Sequence, residues 1–422
     1  MRSSSPHQFR IELGFAGVHS SFWMSICAFS GFMAVYLTHY GFSDSQIGLT
    51  ASIISLITIV FQLFVSTYSD TNMHVPLKRI ISVIYFLILG LVAVLALLPM
   101  PLVMMMAVFS FAGGLTNSLP GLFNAQVIQF INAGIPINFG WPRGISSIAY
   151  ALTAFLIGQL LENYSPTILM PICLIFIVSA IIMMFLMPRP DEETGDEAIP
   201  DLAENGKRTS LRQLLSSSRV LQVFLLSSIF MSAGQSNIFL FLTRIIEANG
   251  GNKADLGLAM FIQAGVELPA MFMIPWLLRR FRARAILVFS VTAYLVKFAL
   301  IYFSTTLPGI YAAMAVSVFC FGLYGMTSVF FVNDIVKYNE KVRAQTLVTA
   351  SGAFSAIIYN LGAGWIVQVY GIRMLNLICM LLQIIAASLM GLCAWLQMRD
   401  EKKLVLPPSL PSASNANTIS TR

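Results

Sequence analysis

Apolar residues in this chain gather into twelve runs, at 12–40, 46–69, 77–99, 101–131, 141–162, 166–187, 219–246, 254–278, 285–304, 308–336, 344–370 and 373–397. Short polar stretches separate most of them, such as the turn from Ser69 to Pro76. Each run has about the twenty residues a helix needs to cross the apolar core of a bilayer. A backbone in lipid must pair its own peptide groups, so helices are expected throughout. A barrel would instead show strands of alternating polarity, and the sequence has none. The pattern predicts an all-α membrane protein with twelve transmembrane helices.

Composition agrees. The 422 residues are 57% hydrophobic and 10% charged, with a mean hydropathy of +0.80. An even number of spans places both termini on one side, and twenty of the 25 lysines and arginines fall there. Only Arg244, Lys253 and Arg373 fall on the other side. Basic residues favour the cytoplasm, so the expectation is a multi-pass plasma-membrane protein with both termini cytoplasmic. The net charge of +7 then reflects topology, and nucleic acid is not an expected partner. Two cations, Arg143 and Lys297, sit inside spans. The five cysteines lie in apolar spans without metal-site or disulfide spacing and read as packing residues. The first apolar run has full span length, so no cleavable signal is expected. The triplet Asn163-Tyr164-Ser165 fits a glycosylation sequon on an outer turn.

The chain divides into a first six-span half (1–187), a mixed-charge linker (188–218), a second half (219–398) and a polar tail (399–422) whose composition predicts disorder. The halves echo each other. Gln46-Ile-Gly48-Leu49 opens the second span, and Asp255-Leu-Gly257-Leu258 opens the eighth. This six-plus-six duplication resembles the layout of major facilitator transporters. After the second span, YSDTNMHVPLKR is similar to a degraded form of that superfamily's loop signature. Asp70, Lys78 and Arg79 stand in its charged places, and the usual glycines are missing. The resemblance implies a cytoplasmic gate at these three residues.

Residues 138–150, NFGWPRGISSIAY, resemble the fifth helix of the oligosaccharide–proton symporters, the lactose permease family, and the similar phenylpropionate permeases. The resemblance implies that Arg143 binds solute and that Tyr150 stacks on it, although a tyrosine departs from the tryptophan of lactose permease. Seven residues is close to two helical turns, so both share a face. Arg143 supplies fork donors for vicinal hydroxyls or a carboxylate. GVELPAMFMIPWLLRR resembles the family's eighth helix, with its glutamate at Glu267. Burial favours the neutral form of a carboxyl group, so Glu267 is expected to hold both solute hydroxyls and a proton. Pro269 and Pro275 follow and are expected to bend the span. In the ninth span, Lys297 stands near a family arginine and could counter a deprotonated Glu267.

Other family features are absent. The tenth-helix histidine and glutamate are replaced by VFCFGLYGMTSVFF, which holds Cys320 but no titratable pair in their place. The fourth-helix glutamate falls near Ala125, between Asn124 and Gln126. Asn124, Gln126, Trp23, Gln235 and Asn237 are candidate cavity residues. His19, Asn117, Asn360 and Asp334 are weaker ones, since such polar groups commonly serve as helix-to-helix hydrogen bonds. Gly113-Gly114 and Gly362-Ala363-Gly364 are expected to allow close helix approach. No P-loop, HExxH or GxSxG appears, so an enzyme is not expected, nor any cofactor or metal. The resemblance implies proton-coupled uptake of a sugar or oligosaccharide by alternating access, with solute, protons and the bilayer as partners and a monomer as the working unit. An aromatic or other small carboxylate, a nucleoside, and export of sugars or drugs are the alternatives.

Overall fold

The computed structural model describes residues 6–71, 75–132, 140–187, 215, 218–337 and 340–405. Among these there are helices and no strand. The first half comprises α1 (Pro6–Ile26), α2 (Met33–His39), α3 (Asp44–Thr71), α4 (Leu77–Leu97), α5 (Leu102–Asn132), α6 (Gly140–Asn163) and α7 (Leu169–Leu186). The second comprises α8 (Arg219–Leu240), α9 (Leu242–Ala248), α10 (Lys253–Arg280), α11 (Ala283–Phe303), α12 (Leu307–Ala315), α13 (Phe321–Ile335), α14 (Lys341–Tyr370) and α15 (Ile372–Val405). The linker at 188–214 and the tail beyond 405 lie outside the described residues.

Three expected spans are discontinuous. Span one is α1 and α2, bent by 45° across a π-helical turn at Cys27–Gly31. Ser30-Gly31 and an inserted π turn are two common causes of such a kink. Span seven breaks at Phe241, between α8 and α9. Span ten breaks at Cys320, where a 3₁₀ turn (Val316–Phe319) meets α13. The eighth span is continuous. Pro269 and Pro275 do not interrupt α10, which runs unbroken for 28 residues.

The count of twelve also needs a physical qualification. Ten described helices are long and apolar enough to cross a membrane alone, and α1 with α2 makes an eleventh. Helix α10 is long enough, at roughly 42 Å for its 28 residues. Its polar Gln263, Glu267 and terminal charges lower its apolarity.

The halves meet along two helix pairs, α3 with α14 and α6 with α10. Glycines make both crossings. A Cβ on Gly158 of α6 would stand 2.8 Å from the Gly257 Cα of α10, and one on Gly48 of α3 would stand 2.9 Å from the Gly364 Cα of α14. Both sites belong to the end of the bundle away from the termini. Each half there also caps a helix of the other. Glu162 Oε1 accepts from the Lys253 and Ala254 amides (3.1 and 3.2 Å), and Gln368 Oε1 accepts from the Ser45 amide (3.2 Å). These amides are among the N-terminal groups that a helix cannot satisfy internally. Arg244 completes the seam, donating to Asp44 at 2.9 Å and to Thr38 at 3.4 Å.

Candidate functional site

Two aromatic residues and a π turn build the first wall. Trp23 of α1 meets Tyr150 of α6 edge-on, with centroids 6.3 Å apart. Both are half-buried. The missing side chain of Gly31, in the π turn, leaves room for the Tyr150 hydroxyl, 3.5 Å from where a Cβ would lie. The same vacated position touches the Met260 methyl of α10, so the kink in span one sits against both Tyr150 and the opposite half.

The second wall carries charge. The Glu267 carboxylate on α10 lies within electrostatic reach of Arg143 on α6 and Lys297 on α11. Tyr150, Tyr294 and Cys320 also feel its charge. The sequence-expected trio from spans five, eight and nine is therefore brought together. Arg143 and Glu267 are half-buried, and Lys297 is 1% exposed. Among the described residues no ion pair joins any two of the three. Neither the Arg143 guanidinium nor the Glu267 carboxylate has a hydrogen-bond partner there. Lys297 does: its Nζ donates to Gln263 Oε1 at 3.2 Å.

The remaining candidates scatter. Asn124 is exposed on α5. Gln126 is buried and turns its amide to the Met184 sulfur of α7, inside the first half. Asn237 is buried near the Cys379 thiol of α15, inside the second, with an Oδ1 that lacks a partner among the described residues. Gln235 is half-buried, with an oxygen that lacks a partner among the described residues. Asn360 accepts from Ser236 at 2.9 Å, a link between spans eleven and seven. His19 packs between Phe15 and Phe123 and lies within reach of the Arg143 charge. Asp334 is exposed beside Arg282 and Arg284 at the end of span ten. The five cysteines are free and buried, and no metal-ligating cluster occurs among the described residues.

At the expected gate, the side chain of Asp70 lies outside the described residues. Arg79 is exposed. Lys78 donates to the main-chain oxygens of Phe185 (3.2 Å) and Met187, at the end of span six of its own half. Arg284 occupies the matching second position of α11 and pairs with Glu401 at the end of span twelve (2.7 Å). The duplication visible at Gly48 and Gly257 thus extends to a basic residue tethering each half's last helix.

Sequence reasoning missed Gln263, Glu162 and Gln368. Gln263 carried one usable signal, its i, i+4 spacing to Glu267 on one helix face. The two caps carried none, because each acts on a helix from the other half.

The chain matches the MFS_1 like family over residues 16–354. No curated protein sequence matches it. Its structure is similar to that of the nucleoside transporter NupG, with a TM-score of 0.70 and 17% sequence identity over 94% of this chain and 100% of that one. It is similar to a bacterial homologue of the human lysosomal transporter Spinster in an inward-facing, unoccupied conformation (TM-score 0.68, 11% identity, 94% and 99% covered). A bacterial homologue of the iron transporter ferroportin, also inward-facing, shares the fold as well (TM-score 0.67, 11% identity, 93% and 100% covered). At these identities the likeness is one of fold. Matched over most of its length and built on the fold of these carriers, the chain belongs to the MFS_1 like family of the major facilitator superfamily and is a transporter, not an enzyme.

Proposed function

We propose that the protein takes up a small hydroxylated solute, a sugar or oligosaccharide, together with a proton, by alternating access. One observation carries this reading. Arg143 of the first half and Glu267 of the second face each other within electrostatic reach, yet no ion pair joins them. A half-buried cation and carboxylate left apart cost stability unless something else satisfies them. A solute between them would accept from the Arg143 fork and donate hydroxyls to Glu267, linking the halves through itself. Trp23 and Tyr150 beside them give a sugar ring an apolar plate.

The energy would come from the proton. One charge moving down a 100 mV potential releases about 2.3 kcal/mol. Glu267 is the natural carrier, since its carboxyl group touches both the solute position and the Lys297 field. Basic residues assign the end bearing the termini to the cytoplasm. The glycine crossings and caps then close the outer end in this conformation, and the solute would leave toward the cytoplasm. Asp70, Lys78 and Arg79 would belong to the inner gate that closes in the opposite state, and a single chain suffices for the cycle.

A second reading has its own support. Two cations, Arg143 and Lys297, stand against the single carboxylate of Glu267, and that excess favours a small organic carboxylate. Thermal-shift screening of purified protein against sugars, aromatic acids and nucleosides separates these readings. Stabilisation by sugars, lost in Arg143→Ala, supports the proposal. Stabilisation by aromatic acids alone overturns the sugar assignment.

A further inference from the structure

Lys297 has a carboxylate within reach and yet donates to a carboxamide. Gln263 and Glu267 stand four residues apart on α10, so both present to the same face. Their positions differ by about 6 Å along the helix axis, within the sweep of a lysine's four-carbon stem. Lys297 is 1% exposed, so its ammonium has no bulk water to fall back on. An unsatisfied buried ammonium is costly.

We infer that Gln263 is a positioning residue that gives Lys297 a neutral second seat, so that Lys297 moves between Gln263 when Glu267 is protonated and Glu267 when it is ionised. The inference rests on the proton-carrying role given above to Glu267. Without the amide seat, protonating Glu267 would strand the ammonium. With it, the carboxyl group can take a proton while Lys297 stays bonded. Release reverses the move: Lys297 swings one turn along α10 and stabilises the carboxylate that remains. Charge balance holds in both states, since the proton enters and leaves through Glu267 alone and Lys297 stays protonated.

The groups facing Glu267 from its neighbours are few. Helix α6 presents Arg143 and Tyr150, α11 presents Tyr294 and Lys297, and the break in span ten presents Cys320. Arg143 is the only other cation among them, and it stands on the opposite half. Lys297 is therefore the partner through which a neutral residue on α10 could act on Glu267.

Infrared difference titration of purified full-length protein tests this with the proton itself as probe. The protonated-carboxyl band that disappears in Glu267→Gln reports on Glu267. Gln263→Ala and Gln263→Met are each expected to lower the pH at which that band is half lost by about half a unit to one unit, a three- to tenfold loss of proton affinity. In a Lys297→Gln background the same Gln263 substitutions are expected to have no further effect. An unchanged or raised midpoint in folded Gln263 variants overturns the inference, as does an equal shift without Lys297. If Glu267→Gln removes no titrating band at all, the failure belongs instead to the proton-carrying role of Glu267.

Discussion

Gly158 on α6 and Gly257 on α10 meet where the halves cross, so closely that a Cβ on Gly158 would stand 2.8 Å from the Gly257 Cα and 2.9 Å from the Lys253 oxygen. Those neighbours are backbone and cannot rotate away. Gly48 and Gly364 repeat the arrangement on the other side of the molecule. Since the crossings lie at one end, their tightness belongs to the conformation in which that end is closed.

Gly257→Val is therefore expected to force that end apart. Spin labels on the exposed positions Tyr164 and Thr306, which lie on turns of opposite halves at the end away from the termini, are expected to show a longer distance distribution in this variant. A distribution identical to wild type would mean that the crossing tolerates a side chain and does not set the conformation.

Glu162 acts in the same place through hydrogen bonds. Asn252 and Asp255 already form a capping box on α10, and Glu162 takes the Lys253 and Ala254 amides from across the seam. A cap of this kind contributes about 1 kcal/mol, and an anion at a helix N-terminus adds to it. Glu162→Ala should reduce the population closed at this end about fivefold in the spin-label measurement. Glu162→Gln keeps an acceptor and should recover most of it.

Arg143→Lys keeps the charge and loses the fork. Solute affinity is expected to fall about tenfold or more if two donors bind one solute group, read by thermal shift or calorimetry with whichever solute the screen yields. Equal affinity in the lysine variant would show that only the charge matters.

Lys78→Ala removes a cation from the terminal carbonyls of α7. The expected result is a loss of about 1–2 kcal/mol of stability, read as a lower thermal unfolding midpoint in detergent with solute affinity unchanged. A changed affinity at constant stability would assign Lys78 to the solute path.

The sequence made much of this legible, for reasons that are physical. Long apolar runs can only be helices in lipid, so the spans were readable to within a few residues. Charges inside those runs are expensive enough that Arg143, Glu267 and Lys297 stood out, and the structure brings them together. Neutral amides are cheap by comparison, and their roles depended on direction. Gln126 and Asn237 turn into helix packing, while Gln263, unremarkable in the chain, holds Lys297. The break in span one at Ser30-Gly31 was hidden because its residues continue the apolar pattern. In α10 the two prolines leave the helix continuous.

The most direct measurement is proton movement driven by solute in proteoliposomes, using the solute found by screening. Wild-type protein should alkalinise the external medium when solute is added outside. Glu267→Gln should still exchange labelled for unlabelled solute but move no protons. Alkalinisation that persists at full rate in Glu267→Gln would contradict the account.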